Sequence, residues 1–115
     1  MHELPVVRSI FEIVIEHARV NSAVRVVKIN LRIGALTDLV DQWVERYFEM
    51  LAQGSIAQGA KIEIERPPGL MRCRQCDAQW NYDRQSIGAP CPQCGSRESA
   101  IVTGREYTVE SIAIE

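Results

Sequence analysis

Apolar positions recur every three or four residues near the start of the chain. Val7, Ile10, Phe11, Val14 and Ala18 form one stripe, while Arg8, Glu12, Glu16 and Arg19 lie largely off it. That period predicts an amphipathic helix from Leu4 to about Val20. Pro5 suits the first turn, where its missing N–H breaks no helical bond. Ile13 and Ile15 widen the stripe, so this helix is expected to be covered on more than one side. The period then drops to two. Val27, Ile29, Leu31 and Ile33 alternate with Lys28, Asn30 and Arg32, which predicts a half-buried strand over Val24 to Ile33, stopped by Gly34. Trp43, Val44, Tyr47, Phe48 and Leu51 restore the helical spacing up to about Gln53. Asp41 is the expected cap of this second helix and Gly54 its terminator. The aromatic side chains Trp43, Tyr47 and Phe48 are expected to pack in the core against a sheet. Alternation returns in Lys61-Ile62-Glu63-Ile64-Glu65 and, less regularly, in Tyr107 to Glu115.

These elements assemble in few ways. A strand–helix–strand unit should be parallel and right-handed. Two strands alone make a poor sheet, so the C-terminal strand is expected to return and join them. The expected fold class is α+β: two helices packed on a three-stranded mixed sheet, with an inserted four-cysteine zinc-ribbon module. Pro67-Pro68-Gly69 is a natural boundary. Residues 1–68 plus 104–115 would form the α/β domain and residues 69–103 the metal module.

The module is defined by its cysteines. All four lie in two pairs of equal spacing, Cys73-Arg74-Gln75-Cys76 and Cys91-Pro92-Gln93-Cys94, with fourteen residues between them. A two-residue gap lets one tight turn present two sulfurs to the same ion, and two such turns close a tetrahedral shell of the kind Zn²⁺ takes in structural sites. Asp77 and Gly95 directly follow the pairs, and both tolerate the left-handed conformation that a metal knuckle requires. Two disulfides would need an oxidising compartment. A redox pair would use one such motif, not two. Iron in a rubredoxin-like or iron–sulfur site shares the ligand set, so spacing alone leaves it open. Trp80 and Tyr82 are expected as a small packing cluster beside the metal, and Arg72, Arg74, Arg84 and Arg97 as a basic rim around it.

Composition narrows the function. The formal charge is -2, and loading Zn²⁺ onto four thiolates, with four protons lost and two charges gained, carries it to -4. That argues against a nucleic-acid binder, which shows a basic surplus. No apolar run reaches the length of a membrane span, and the first residues carry no secretory signal, so a cytoplasmic location is expected. The two histidines, His2 and His17, accompany no nucleophile motif and no phosphate loop, which argues against an enzyme. His17, near a helix end, is expected to be a partly exposed histidine and not a ligand.

The chain begins Met1-His2-Glu3. Met1 offers an amine and His2 an imidazole, and a metal can deprotonate the backbone nitrogens of His2 and Glu3. That is the square-planar nitrogen set that Ni²⁺ prefers, although an isolated histidine is more often no ligand at all.

The combination is more specific than its parts. Met1-His2-Glu3-Leu4, the strand end Leu31-Arg32-Ile33-Gly34, the stretch Gly54-Ser55-Ile56-Ala57-Gln58-Gly59-Ala60, the module ending Cys91-Pro92-Gln93-Cys94-Gly95 and the closing Glu110-Ser111-Ile112-Ala113-Ile114-Glu115 occur in this order. Together they resemble the hydrogenase nickel-incorporation proteins of the HypA/HybF family, almost end to end. The resemblance implies a metallochaperone with structural zinc on Cys73, Cys76, Cys91 and Cys94, and nickel at Met1, His2 and Glu3. It implies delivery to the large subunit of [NiFe]-hydrogenase together with a HypB-type GTPase, with urease maturation served by some members. Two positions depart from the pattern: Pro5 replaces a small polar residue, and Ala35 follows Gly34 where an acid is common. A monomer, or a dimer formed by swapping the returning strand, is expected. The rival reading is a zinc-ribbon module for protein interaction or nucleic-acid binding, with no nickel transfer.

Overall fold

The structure, a computed structural model, describes residues 3–115. Its elements are α1 (Glu3–Val20), β1 (Val26–Ile33), α2 (Asp41–Ala52), β2 (Lys61–Glu65), β3 (Gly69–Cys73), β4 (Gln79–Tyr82), β5 (Ser99–Thr103) and β6 (Tyr107–Ile114). The chain divides into two compact units. One comprises residues up to Arg32, Asp38–Glu65 and Thr108–Glu115; the other comprises Ile33–Thr37 and Arg66–Tyr107.

In the first unit α1 buries Val7, Ile10, Val14 and Ala18, the stripe set by its sequence period. Phe11 meets Phe48 of α2 edge to face, with ring centroids 5.7 Å apart, a geometry favoured by the ring quadrupoles. Of the two residues expected to widen the buried face of α1, Ile15 is half-buried and Ile13 is 41% exposed. Ile13 lies too far round the helix from the Val7–Ile10–Val14 line, and scattered exposed apolar residues are normal.

α2 buries Val44, Phe48 and Ala52. Asp41 is not its cap. Val40 holds the N-cap position in extended backbone and makes no side-chain cap bond, and Asp41 is the first helical residue, where the helix dipole favours its charge. The expected aromatic core is also narrower than its sequence cluster. Only Phe48 is fully buried; Trp43 and Tyr47 stack on each other at 5.9 Å on the half-exposed side of α2. Arg46 lies over the Trp43 ring, 5.0 Å from its centroid. After α2, Gly54 adopts φ +79, the left-handed exit from a helix that glycine makes cheaply.

The first sheet has the order β2-β1-β6. β1 and β2 are parallel, with Ile29 opposite Ile62 and Leu31 opposite Ile64, so α2 is the crossover between them. β6 returns antiparallel on the other side of β1: the Glu115 amide donates to the Arg25 carbonyl at 2.8 Å, and Asn30 Nδ2 donates to Ser111 Oγ at 2.9 Å. The sheet is therefore mixed, and the α+β class holds. Its polar face carries a charge ladder, Lys28–Glu63 at 3.1 Å, Arg32–Glu65 at 3.5 Å and Arg32–Glu110 at 3.6 Å. Such exposed pairs contribute little stability each.

The second unit holds a separate antiparallel sheet of order β4-β3-β5. β3 pairs Met71 with Trp80 of β4 and with Ile101 of β5. No helix among the described residues is long and apolar enough to cross a membrane.

Candidate metal centre

Each cysteine pair sits on a knuckle, and the two knuckles repeat one hydrogen-bond plan. In the first, the Cys73 amide donates to the Ala78 carbonyl at 2.8 Å and the Asp77 amide donates back to the Cys73 carbonyl at 3.1 Å. In the second, Cys91 donates to Ser96 at 2.8 Å and Gly95 donates to Cys91 at 2.9 Å. Closing this turn requires a left-handed residue at the same place in each copy, and Asp77 (φ 63) and Gly95 (φ 76) provide it. The sequence expectation for these two positions is met.

The sulfurs converge. Cys73 and Cys94 Sγ lie 3.6 Å apart, Cys76 and Cys91 Sγ 3.7 Å apart, and all four lie within 4.8 Å of one another. A tetrahedral Zn²⁺ shell with normal Zn–S bonds has sulfur–sulfur edges of about 3.8 Å, close to the two short separations here. Backbone amides point at the sulfurs: Gln75 N–H donates to Cys73 Sγ at 3.3 Å, and Gln93 and Cys94 N–H donate to Cys91 Sγ at 3.4 Å each. Amide donors of this kind stabilise thiolate charge and orient the ligands.

The four thiols are unequal. Burial pushes Cys91 up, but the amides of Cys94 and Gln93 and the neighbouring Cys76 and Cys94 sulfurs outweigh it and bring the thiol down to about 6. Cys73 is also lowered, chiefly by the Cys76 amide. Cys76 goes the other way: the Ala78 amide lowers it, yet burial and the three other sulfurs push it up to about 12. Cys94 is raised as well, because burial and the Cys73 and Cys91 sulfurs overcome the Ser96 amide. A divalent cation at the centre of the four sulfurs favours four thiolates.

The other residues singled out in the sequence fall in several places. Arg72 pairs with Asp77 at 3.1 Å beside the first knuckle. Arg84 is not part of a rim around the sulfurs: its Nη2 donates to the carbonyls of Leu36 and Thr37. Tyr82 is not beside the metal either. It pairs with Gly69 at the end of β3 opposite Cys73, is 2% exposed, and donates its hydroxyl to the Thr103 carbonyl at 2.8 Å. Two glycines make room for its ring. A Cβ on Gly69 would lie 2.3 Å from it, and a Cβ on Gly104 would lie 2.4 Å from its hydroxyl oxygen. That glycine–tyrosine lock was missed in the sequence, where Gly69 reads only as a boundary. Its signal is long-range and depends on strand register.

His17 is exposed in the last turn of α1. Of the three residues expected at nickel, Met1 and His2 lie outside the described residues, and Glu3 is the first residue of α1 and only 4% exposed. Its carboxylate sits at the positive end of the helix dipole.

Comparison with known proteins agrees along the whole chain. The HypA family, described as hydrogenase/urease nickel incorporation, metallochaperone, matches residues 1–114. The hydrogenase maturation factor HypA of Methanopyrus kandleri is 34% identical, covering 100% of this chain and 94% of its own length. That of Chlorobium luteolum is 36% identical, covering 100% and 97%. The solution structure of the Ni metallochaperone HypA from Helicobacter pylori superposes with a TM-score of 0.72 at 24% identity, covering 99% of this chain and 97% of the other, which supports the fold. With a family match over nearly every residue and relatives above the threshold of chance similarity at full length, this chain belongs to the HypA family.

Proposed function

We propose that the chain is a nickel metallochaperone for hydrogenase maturation, with structural zinc on Cys73, Cys76, Cys91 and Cys94 and cargo Ni²⁺ at Met1, His2 and Glu3. The full-length family match carries the reading. The sulfur cage supports its zinc part, because four thiolates close the shell and leave no position open for catalysis. Zinc would supply no reaction chemistry, only a cross-link that holds the two knuckles together. Nickel needs the opposite: ligands that take the ion and let it go. An amine, an imidazole and two deprotonated backbone nitrogens form a square-planar set, and such ligands can exchange one at a time.

The buried Glu3 supports this placement, since it ties the start of α1 to the first unit and leaves the residues before it next to an ordered element. In this reading nickel resides with residues 1–68 plus 104–115 and zinc with residues 69–103. The recipients are a HypB-type GTPase and the hydrogenase large subunit, in the cytoplasm. Two substitutions test the division. His2→Ala should lose nickel and retain one zinc per chain. Cys76→Ala should lose zinc. If His2→Ala binds nickel as tightly as the parent, the nickel site is wrong; if the parent binds zinc and no second ion, the chain is a zinc-ribbon interaction module.

A further inference from the structure

The segment joining β1 to α2 belongs structurally to the cysteine-bearing unit. Ile33–Thr37 groups with Arg66–Tyr107, although it follows directly from β1. Six hydrogen bonds hold it there. The Gly34 amide donates to the Glu106 carbonyl at 2.8 Å, and the Leu36 amide donates to the Gly104 carbonyl at 2.7 Å. Arg66 Nη1 donates to the Gly34 carbonyl at 3.1 Å and to Thr37 Oγ1 at 2.8 Å. Arg84 Nη2 donates to the Leu36 and Thr37 carbonyls. The approach is close enough to exclude a side chain: a Cβ on Gly34 would lie 2.4 Å from the Gly104 oxygen and 2.5 Å from its carbon.

The position of Arg84 ties this segment to the chain that carries the second cysteine pair. It lies on the turn that leads from β4 to Cys91. One end of that turn is pinned by buried Tyr82, and its middle is closed by Asp83, whose Oδ1 accepts from the Gln85 amide at 2.9 Å and from the Ser86 amide at 3.0 Å. The far half of the turn closes through the Ala89 amide on the Ser86 carbonyl at 3.0 Å and runs into the second knuckle at Cys91. The core of this unit is also small. Among the described residues, its buried apolar side chains are Ile33, Met71, Cys73, Tyr82 and Cys91, and two of these are sulfur ligands. So few apolar groups do not hold a three-stranded sheet without a cross-link.

We propose that Ile33–Thr37 is a metal-dependent latch, clamped by Arg66 and Arg84 while the four-cysteine centre is filled and released when it empties. The inference rests on the metal reading of the cysteines but not on nickel binding. Release would leave the first unit folded, since its helices and mixed sheet have their own buried core. It would free the approach to α2, whose N-cap Val40 provides no side-chain cap of its own.

Hydrogen exchange on the full chain tests the latch, with zinc content measured on the same samples. Stripping zinc with a chelator should speed exchange of the Gly34 and Leu36 amides at least a hundredfold, while the β1 amides of Ile29 and Leu31 stay protected. Arg84→Ala should retain zinc and still speed Leu36 exchange roughly tenfold, the size expected for losing a charged donor to two carbonyls. Unchanged Leu36 protection in the zinc-free chain overturns the latch. So does equal loss of protection at Ile29 and Leu31, which would mean global unfolding. Wild-type exchange in zinc-loaded Arg84→Ala removes Arg84 from it. Failure of nickel to bind would leave all of these outcomes unaffected.

Discussion

Gly69→Ala should weaken the metal module far more than adding one methyl group to a strand normally does. The new Cβ would lie 2.3 and 2.4 Å from two Tyr82 ring carbons and 2.6 Å from the hydroxyl oxygen. Carbon–carbon contacts are comfortable at about 3.5–4.0 Å, so the ring must retreat by more than about 1 Å. It has little room to do so, because its hydroxyl is already seated on the Thr103 carbonyl at 2.8 Å and the ring is 2% exposed. Overpacking costs about 1–3 kcal/mol. Breaking the hydroxyl bond to the Thr103 carbonyl adds about 1 kcal/mol, for a total of roughly 2–4 kcal/mol. The module is one of two units, so a whole-chain melting temperature is a poor probe. Zinc release in urea, followed with a metallochromic dye, reads the module directly. At about 1 kcal/mol/M, the low end of urea slopes, the release midpoint should fall by about 2 M or more. Tyr82→Phe keeps the ring and should shift the midpoint by about half as much or less. In the Tyr82→Ala background, adding Gly69→Ala should be close to neutral, because the clashing ring is gone. A Gly69→Ala midpoint equal to that of the parent would refute the lock.

Further outcomes follow from the same geometry. Glu106 is held below the usual carboxylate range, first by the Gly104 amide and also by its own and the Arg105 amide. A lowered folded-state pKa gives stability that is present above the unfolded value of about 4.3 and lost as pH falls through the folded one. Glu106→Gln should therefore flatten the acid side of the module's stability profile and leave neutral pH less stable, as read by zinc release between pH 3 and 7. Asp77→Val should destabilise the first knuckle by about 1–2 kcal/mol, because a β-branched residue resists φ 63, whereas Asp77→Gly should be tolerated; competition with a chelator separates the two. Nickel affinity should drop as the pH is lowered and His2 protonates, and blocking the α-amine by acetylation should abolish it at every pH in an isothermal titration.

The helix α1, the strands β1 and β2 and the knuckle residues were legible because each is a local signal. A period of 3.6 or 2, or a left-handed residue after a cysteine pair, needs no knowledge of distant chain. What escaped was set by register. Gly69-Leu70-Met71-Arg72-Cys73 has no clear alternation, and it becomes the central strand only because β4 and β5 flank it. Arg84 lies seven residues before Cys91 in sequence, yet it reaches a loop 47 and 48 residues away. Trp43 and Tyr47 read as core because the helical period does not say which side of a wide apolar arc meets the sheet. The Val40–Asp41 boundary turned on a single backbone conformation. The proposed nickel residues Met1, His2 and Glu3 rest on the resemblance carried by the first four residues together with the cysteine module.

Nickel titration of the zinc-loaded chain with an unblocked α-amine tests the two-metal account most directly. The account predicts one nickel per chain, with the absorption of a square-planar nitrogen-ligated ion and zinc content unchanged at one per chain. Saturation without any nickel uptake, or uptake that displaces zinc from the cysteines, would contradict it.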